Sequence, residues 1–181
     1  MAQAQLLQGK LNAVLGTKNP VGLPLRAQGE IAAAQGTAKL VLGDAKEADD
    51  LTTMAFGMAP DSPFVATARA RVLMSAKKLD EAEQLLAAVR KAHPNYGPAW
   101  SLLGYVEDQR GNLGKAEEAY TAAISKRPTS GPDRLKRALI RLRQENLDGA
   151  LADATQLNQV LPNLQAAWYV AGVVHFAKKE F

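Results

Sequence analysis

Few residues of this chain have types and spacing that could support catalysis. The segment at 111–116, GNLGKA, has the glycines and lysine of a phosphate-binding loop, but it lacks the required spacing, a hydroxyl residue after the lysine and a preceding strand. The two histidines, His93 and His175, occupy unrelated positions, and there is no cysteine to act as nucleophile or thiolate ligand. No carboxylate pair can be combined with a base and an oxyanion donor. The sequence therefore predicts a protein that is not an enzyme and takes no cofactor or metal.

Basic residues are concentrated between residues 126 and 143, where Asp133 is the only acid. A cationic segment of this kind can dock on an acidic protein, an anionic polysaccharide or nucleic acid. Nucleic acid is not expected as a partner, because the segment lacks interleaved aromatic residues that would stack on bases. The alternative is an ordinary solvated helix face. The residues assigned to this basic face are Lys126, Arg127, Arg134, Lys136, Arg137 and Arg141.

The elements that must position these residues are clearest between residues 98 and 128. Trp100, Leu103 and Gly104 share one face of a first helix, because side chains three and four residues apart are neighbours on a helix. Gly111 interrupts the pattern, and Pro128 ends a second helix. The apolar face of this second helix consists of Leu113, Ala116, Tyr120, Ala123 and Ile124. Small residues opposite Trp100 and Tyr120 predict that the two helices pack closely against each other.

This pair of helices recurs along the chain. Prolines stand at 60, 94, 128 and 162, and small or apolar residues recur at the same constant interval, which we call the repeat period. The period predicts an orphan helix at 2–15 and a half repeat at 165–181, with complete repeats between them at about 25–62, 63–96, 97–130 and 131–164. We expect one continuous array over residues 1–181, cut from a longer one, because its last helix is apolar nearly all round.

The residues at 98–128 resemble the tetratricopeptide repeat, whose pattern is W-x2-L-G-x2-Y, then A-x3-F, then P, over about 34 residues. Glu107 departs from it, since it stands where the first-helix tyrosine is expected. The resemblance implies an all-α fold of antiparallel helix hairpins in a right-handed superhelix. It also implies a non-catalytic scaffold for protein–protein interaction. An Ala-rich composition with only 6% aromatic residues agrees with close-packed helices.

In the resembling family, the first helices of successive repeats line a concave surface. An apolar or amphipathic peptide is the occupant that such a groove would accept. The alternative is that the apolar C-terminal end packs against further repeats or a second copy of the chain. The groove residues predicted here are Arg71, Met74, Ser101, Tyr105, Asp108, Leu135, Leu139, Leu142, Arg143, Tyr169 and Phe176.

The loosely matching, Ala-rich repeats are similar in texture to bacterial tetratricopeptide lipoproteins of PEP-CTERM/exosortase and exopolysaccharide systems. That resemblance implies a bacterial envelope protein, periplasmic rather than cytoplasmic, with a role in polysaccharide export or protein sorting. A cytoplasmic location is the alternative. No run of 18 apolar residues is present, so the sequence predicts no membrane span. The predicted partner is a protein or peptide of unknown identity.

Overall fold

The computed structural model describes residues 2–17 and 22–179, with side chains from residue 9 onward. All regular structure in these ranges is helical. The helices are α1 (Ala2–Leu15), α2 (Leu25–Val41), α3 (Ala45–Met58), α4 (Pro63–Ser75), α5 (Leu79–Ala92), α6 (Gly97–Gln109), α7 (Leu113–Lys126), α8 (Gly131–Arg143), α9 (Leu147–Val160) and α10 (Gln165–Lys178). Residues 180 and 181 of the predicted half repeat lie outside the described residues.

Proline and left-handed turn residues set the limits of the helices. Pro63, Pro98 and Pro132 lie in the first turn of α4, α6 and α8, where an amide hydrogen is not needed. The turn inside each hairpin has a residue with positive φ, and these residues also follow the repeat period: Gly43, Lys77, Gly111 and Glu145. A lysine or glutamate in this conformation costs about 1–2 kcal/mol, so the hairpin geometry is retained even where glycine is absent.

Residues 1–93 form the first of two compact units. Its helices α2 and α3 approach so closely that a Cβ atom added to Gly36 would lie 2.6 Å from Cγ2 of Thr52. Its core is built mainly from alanine: Ala32, Ala33, Ala55, Ala59, Val65 and Ala68, with Phe56 packed against them. Small side chains permit this short distance between helices, which explains why the core of this unit is rich in alanine.

Residues 94–181 form the second unit. A Cβ atom added to Gly104 would lie 2.9 Å from three ring atoms of Tyr120, so the predicted interlocking of a small residue with a large one is present. Glu107, the departure from the repeat pattern, is buried and accepts a hydrogen bond of 2.8 Å from Nδ2 of Asn112. A separate core cluster joins α8, α9 and α10 through Ala138, Ala150, Ala154, Val170, Ala171 and Val174.

Candidate peptide-binding surface and the arginine network

The apolar part of the predicted groove lies on α8 and α10. Leu135, Leu139 and Leu142 are half-buried, because they pack against the core cluster that α10 shares with α8 and α9. Tyr169 and Phe176 lie on α10 and are 65% and 73% exposed. Part of each leucine side chain is thus buried in the core of the second unit, whereas most of the surface of the two aromatic rings is exposed to solvent.

The polar part of the predicted groove lies mainly on α6. Asp108 forms an ion pair with Arg143, which links α6 to α8. The Ser101 hydroxyl accepts a hydrogen bond of 2.7 Å from Nη2 of Arg127. Tyr105 is half-buried on the same helix. Two of these three α6 residues are therefore held in polar contacts within the second unit.

Two predicted groove residues belong to the first unit. Arg71 is exposed on α4, and it has an electrostatic or hydrogen-bonding partner. Met74 is only 8% exposed, so its side chain is part of the interior and offers little surface to a peptide.

The residues of the predicted basic face do not form one solvated surface. Arg137 makes two hydrogen bonds to the carboxylate of Asp153, of 2.9 and 2.6 Å. Arg141 lies 3.0 Å from the same carboxylate and 2.7 Å from that of Glu117. Arg134 lies 3.6 Å from Asp153, and Asp153 itself is 2% exposed. We call these three arginines and Asp153 the arginine network.

The other basic residues differ in environment. Arg127 pairs with Asp133 at 2.7 Å, and the Ser130 hydroxyl donates to the same carboxylate at 2.6 Å. Lys126 and Lys136 are exposed. Most of the charge that the sequence places at 126–143 is therefore balanced by acids from neighbouring segments.

A signal for the arginine network was available in the sequence. A shift by one repeat period carries the inward-facing Trp100, Leu103 and Glu107 of α6 onto Arg134, Arg137 and Arg141 of α8, respectively. The same shift carries the buried Ala119 of α7 onto Asp153 of α9. The prediction of a basic face considered only the charges within residues 126–143. It missed this network because the acids that pair with its arginines are Glu117 on α7 and Asp153 on α9.

Burial raises the pKa of the Tyr120 hydroxyl well above its usual range, and the negative charges of Asp108 and Asp133 act in the same direction. The side chain is 2% exposed. It remains neutral throughout the physiological range, so it serves packing rather than proton transfer.

The described residues provide no group of three histidine, cysteine or acidic side chains arranged to hold a metal ion. None of the described helices is long and apolar enough to cross a membrane.

Comparison with known proteins agrees with the repeat pattern. Residues 67–131 match the family model described as tetratricopeptide repeat. A heat-shock protein cognate co-chaperone of Aspergillus fumigatus, sgt12, is 28% identical over 106 residues, which are 59% of this chain and 31% of that protein. The chain thus spans about a third of this relative.

Solved structures show the same fold. TTC0263, a thermophilic tetratricopeptide-repeat protein from Thermus thermophilus, has a TM-score of 0.73 at 18% identity, over 82% of this chain and 81% of that one. MamA has a TM-score of 0.69 at 16% identity, over 80% of this chain and 85% of its own. The predicted all-α fold of antiparallel helix hairpins is confirmed, and such repeats are typically non-catalytic scaffolds for protein interaction. Residues 67–131 therefore match the tetratricopeptide repeat, and the chain has the fold of solved tetratricopeptide-repeat structures, as the repeat period predicted.

Proposed function

We propose that the second unit binds an apolar segment of a protein partner on the surface formed by α8 and α10. The observation that carries this proposal is the exposure of Tyr169 and Phe176 on α10, the helix whose buried face packs with the half-buried leucines of α8. Aromatic side chains dominate the binding energy of many protein interfaces, because they bury a large area with few rotatable bonds. A peptide covering both rings would remove a large apolar area from water.

The surroundings of this surface favour an amphipathic segment. The Asp108–Arg143 and Arg127–Asp133 ion pairs lie on the same unit as the two rings. An apolar centre with a polar edge is the usual arrangement of a protein interface. Apolar residues of the peptide would contact Tyr169 and Phe176, and its polar residues would remain towards solvent or the ion pairs.

A protein partner is supported by the co-chaperone relative and by the repeat fold. The role in exopolysaccharide export or PEP-CTERM sorting and the periplasmic location stay predictions of the sequence texture. Self-association through α10 is the competing way to cover the same rings. Sedimentation across a range of protein concentrations distinguishes it, since a second copy would compete with peptide only as concentration rises.

The proposal is tested by selecting peptides from a displayed library on the purified protein and measuring their affinity for variants. We expect selected peptides to be rich in apolar residues and to bind Tyr169→Ala/Phe176→Ala at least about tenfold more weakly, since hot-spot truncation costs about 2 kcal/mol or more. Val160→Ala is the matched control, because Val160 is 70% exposed on α9 and outside this surface. Equal affinity for the double variant and the control would refute the proposal.

Binding of an anionic polymer has less support, because the arginines of the network are paired with acids. Lys126 and Lys136 are the exposed residues of the predicted basic face. Polymer binding would weaken steeply as salt rises and would be lost in Lys126→Glu/Lys136→Glu. Apolar peptide binding should show neither effect.

A further inference from the structure

Three first helices have a side chain that donates a hydrogen bond to the carbonyl of a proline six residues earlier. Each donor is a large residue. The donor–acceptor pairs are Trp100 to Pro94 at 3.2 Å, Arg134 to Pro128 at 3.1 Å and Trp168 to Pro162 at 2.8 Å. Because successive donors are separated by one repeat period, this is a regular feature of the repeat.

The hairpin of α4 and α5 lacks that side chain. Ala66 occupies the corresponding position, six residues after Pro60. A cavity of about 200 Å³ lies beside it and also borders on Phe56, Leu85 and Val89. Leu85 and Val89 are larger than Ala119 and Ala123, their counterparts one repeat period later, yet they do not fill the space.

The wall of the cavity is mostly apolar, and its polar residues have partners. His93 Nε2 lies 3.2 Å from the carbonyl oxygen of Asp61. The Ser62 hydroxyl donates to Glu30 at 2.9 Å, and the Asp61 carboxylate accepts from Arg26 at 3.3 Å. Ala88 and Ala92 line the cavity and are exposed, so it opens to solvent. The cavity is therefore accessible and mostly apolar, and the polar side chains described in its wall already have hydrogen-bond partners.

We infer that this cavity binds a planar aromatic ring carrying an N–H donor, such as indole. The protein itself provides the precedent, since an indole N–H bonds to the corresponding proline carbonyl in α6 and α10. The ring would contact Phe56, Leu85 and Val89, and its N–H would donate to the Pro60 carbonyl. The volume is sufficient, because an apolar cavity of about 150 Å³ can bind benzene. The ring could belong to a partner's tryptophan or to a free indole compound, and the chemistry is the same.

Titration of the full chain with indole, followed by amide chemical shifts in NMR spectra, tests this inference. We expect saturable shifts at residues 56–66 and 85–93 with a dissociation constant in the millimolar range or tighter. 1-Methylindole should bind about 3–10-fold more weakly, because it lacks the N–H and one hydrogen bond contributes about 0.5–1.5 kcal/mol. N-acetyltryptophanamide distinguishes the two possible sources of the ring. If it binds about as tightly as indole, a tryptophan of a protein partner is supported, and if it does not bind, a free indole compound is supported.

Ala66→Trp should abolish indole binding, because the new side chain would occupy the cavity and donate to Pro60. Ala87→Trp is the control, since Ala87 is exposed on α5 and outside the cavity wall. Ala92→Leu narrows the opening from an exposed position and should weaken binding severalfold even if Ala66→Trp does not fold. Absence of indole binding at 10 mM, or unchanged binding to both cavity variants, would overturn the inference.

Discussion

The α6–α7 hairpin is held together by apolar packing. Leu103 and Ala119 are buried between its helices, and the ring of Tyr120 lies directly over Gly104. In the α8–α9 hairpin, the corresponding positions hold Arg137, Asp153, Ala154 and Ala138. Arg137 and Asp153 thus stand at the positions that Leu103 and Ala119 hold in the preceding repeat. Ala154 stands at the position of Tyr120, and because its side chain is small, the residue facing it can be Ala138 instead of a glycine.

This difference shows that hairpin geometry is conserved within the chain while its chemistry is exchanged. A tyrosine over a glycine gains stability from buried area and tight contact. A buried carboxylate among arginines gains it from hydrogen bonds, which must offset the cost of removing charges from water. The two hairpins should therefore fail in different ways when one partner is changed.

The largest effect is expected in the arginine network. Asp153→Ala would leave Arg137 without its two-bond partner and remove one partner from Arg134 and Arg141. Breaking a buried ion pair in this way costs about 3–5 kcal/mol, which urea unfolding followed by circular dichroism would measure. Asp148→Asn on the same helix is the control, because Asp148 is exposed in its pair with Lys178 and surface pairs contribute about 0–1 kcal/mol.

A second variant distinguishes charge imbalance from lost volume. Arg137→Leu/Asp153→Ala places in α8–α9 the Leu103 and Ala119 pair of α6–α7. We expect this double variant to be more stable than Asp153→Ala alone, because apolar replacement of a buried ion pair is often neutral. Arg134 and Arg141 keep Gln156 and Glu117 as partners. If the double variant is less stable than Asp153→Ala, the α8–α9 hairpin cannot accept the apolar pair that stabilises α6–α7.

A smaller effect is expected at the glycine of α6–α7. Gly104→Ala would bring a methyl group to 2.9 Å from the buried Tyr120 ring, and overpacking of this kind costs about 1–3 kcal/mol. Gly172 holds the same repeat position in α10, but nothing lies within 4 Å of an added Cβ there. Gly172→Ala should therefore be neutral or stabilise by up to about 1 kcal/mol through helix propensity. Equal effects of both substitutions on the urea midpoint would show that the Tyr120 contact is unimportant.

The contrast between Gly104 and Gly172 also shows what the sequence can predict. Prolines, turn residues and the repeat period predicted the helices, because these signals are local and repeated. The same register placed Tyr169, Phe176 and Met74 in the predicted groove, but the first two are exposed and Met74 is buried, because packing that the register does not specify decides exposure. The arginine network required the acids of other helices. The repeat period shows that Ala66 stands where other repeats have a large side chain, but whether Phe56, Leu85 and Val89 close the space depends on packing.

The smallest effect concerns alkaline pH and the apolar hairpin alone. Because burial raises the pKa of Tyr120, the unfolded chain loses this proton near pH 10 while the folded chain keeps it. The stability contributed by neutral Tyr120 is complete below pH 10 and is lost progressively as pH rises further. Its loss should approach about 1.4 kcal/mol per pH unit above that value.

The measurement is the difference in unfolding free energy between the parent protein and Tyr120→Phe from pH 9 to pH 11.5. Phenylalanine keeps the ring over Gly104 but has no proton to lose, so the other titrating groups cancel in the difference. We expect a constant difference up to about pH 10 and a falling one above it. A flat difference across the whole range would mean that the Tyr120 hydroxyl reaches water in the folded protein. In that case the α6–α7 hairpin would not be stabilised by a fully buried Tyr120, and its contrast with the arginine network would be weaker.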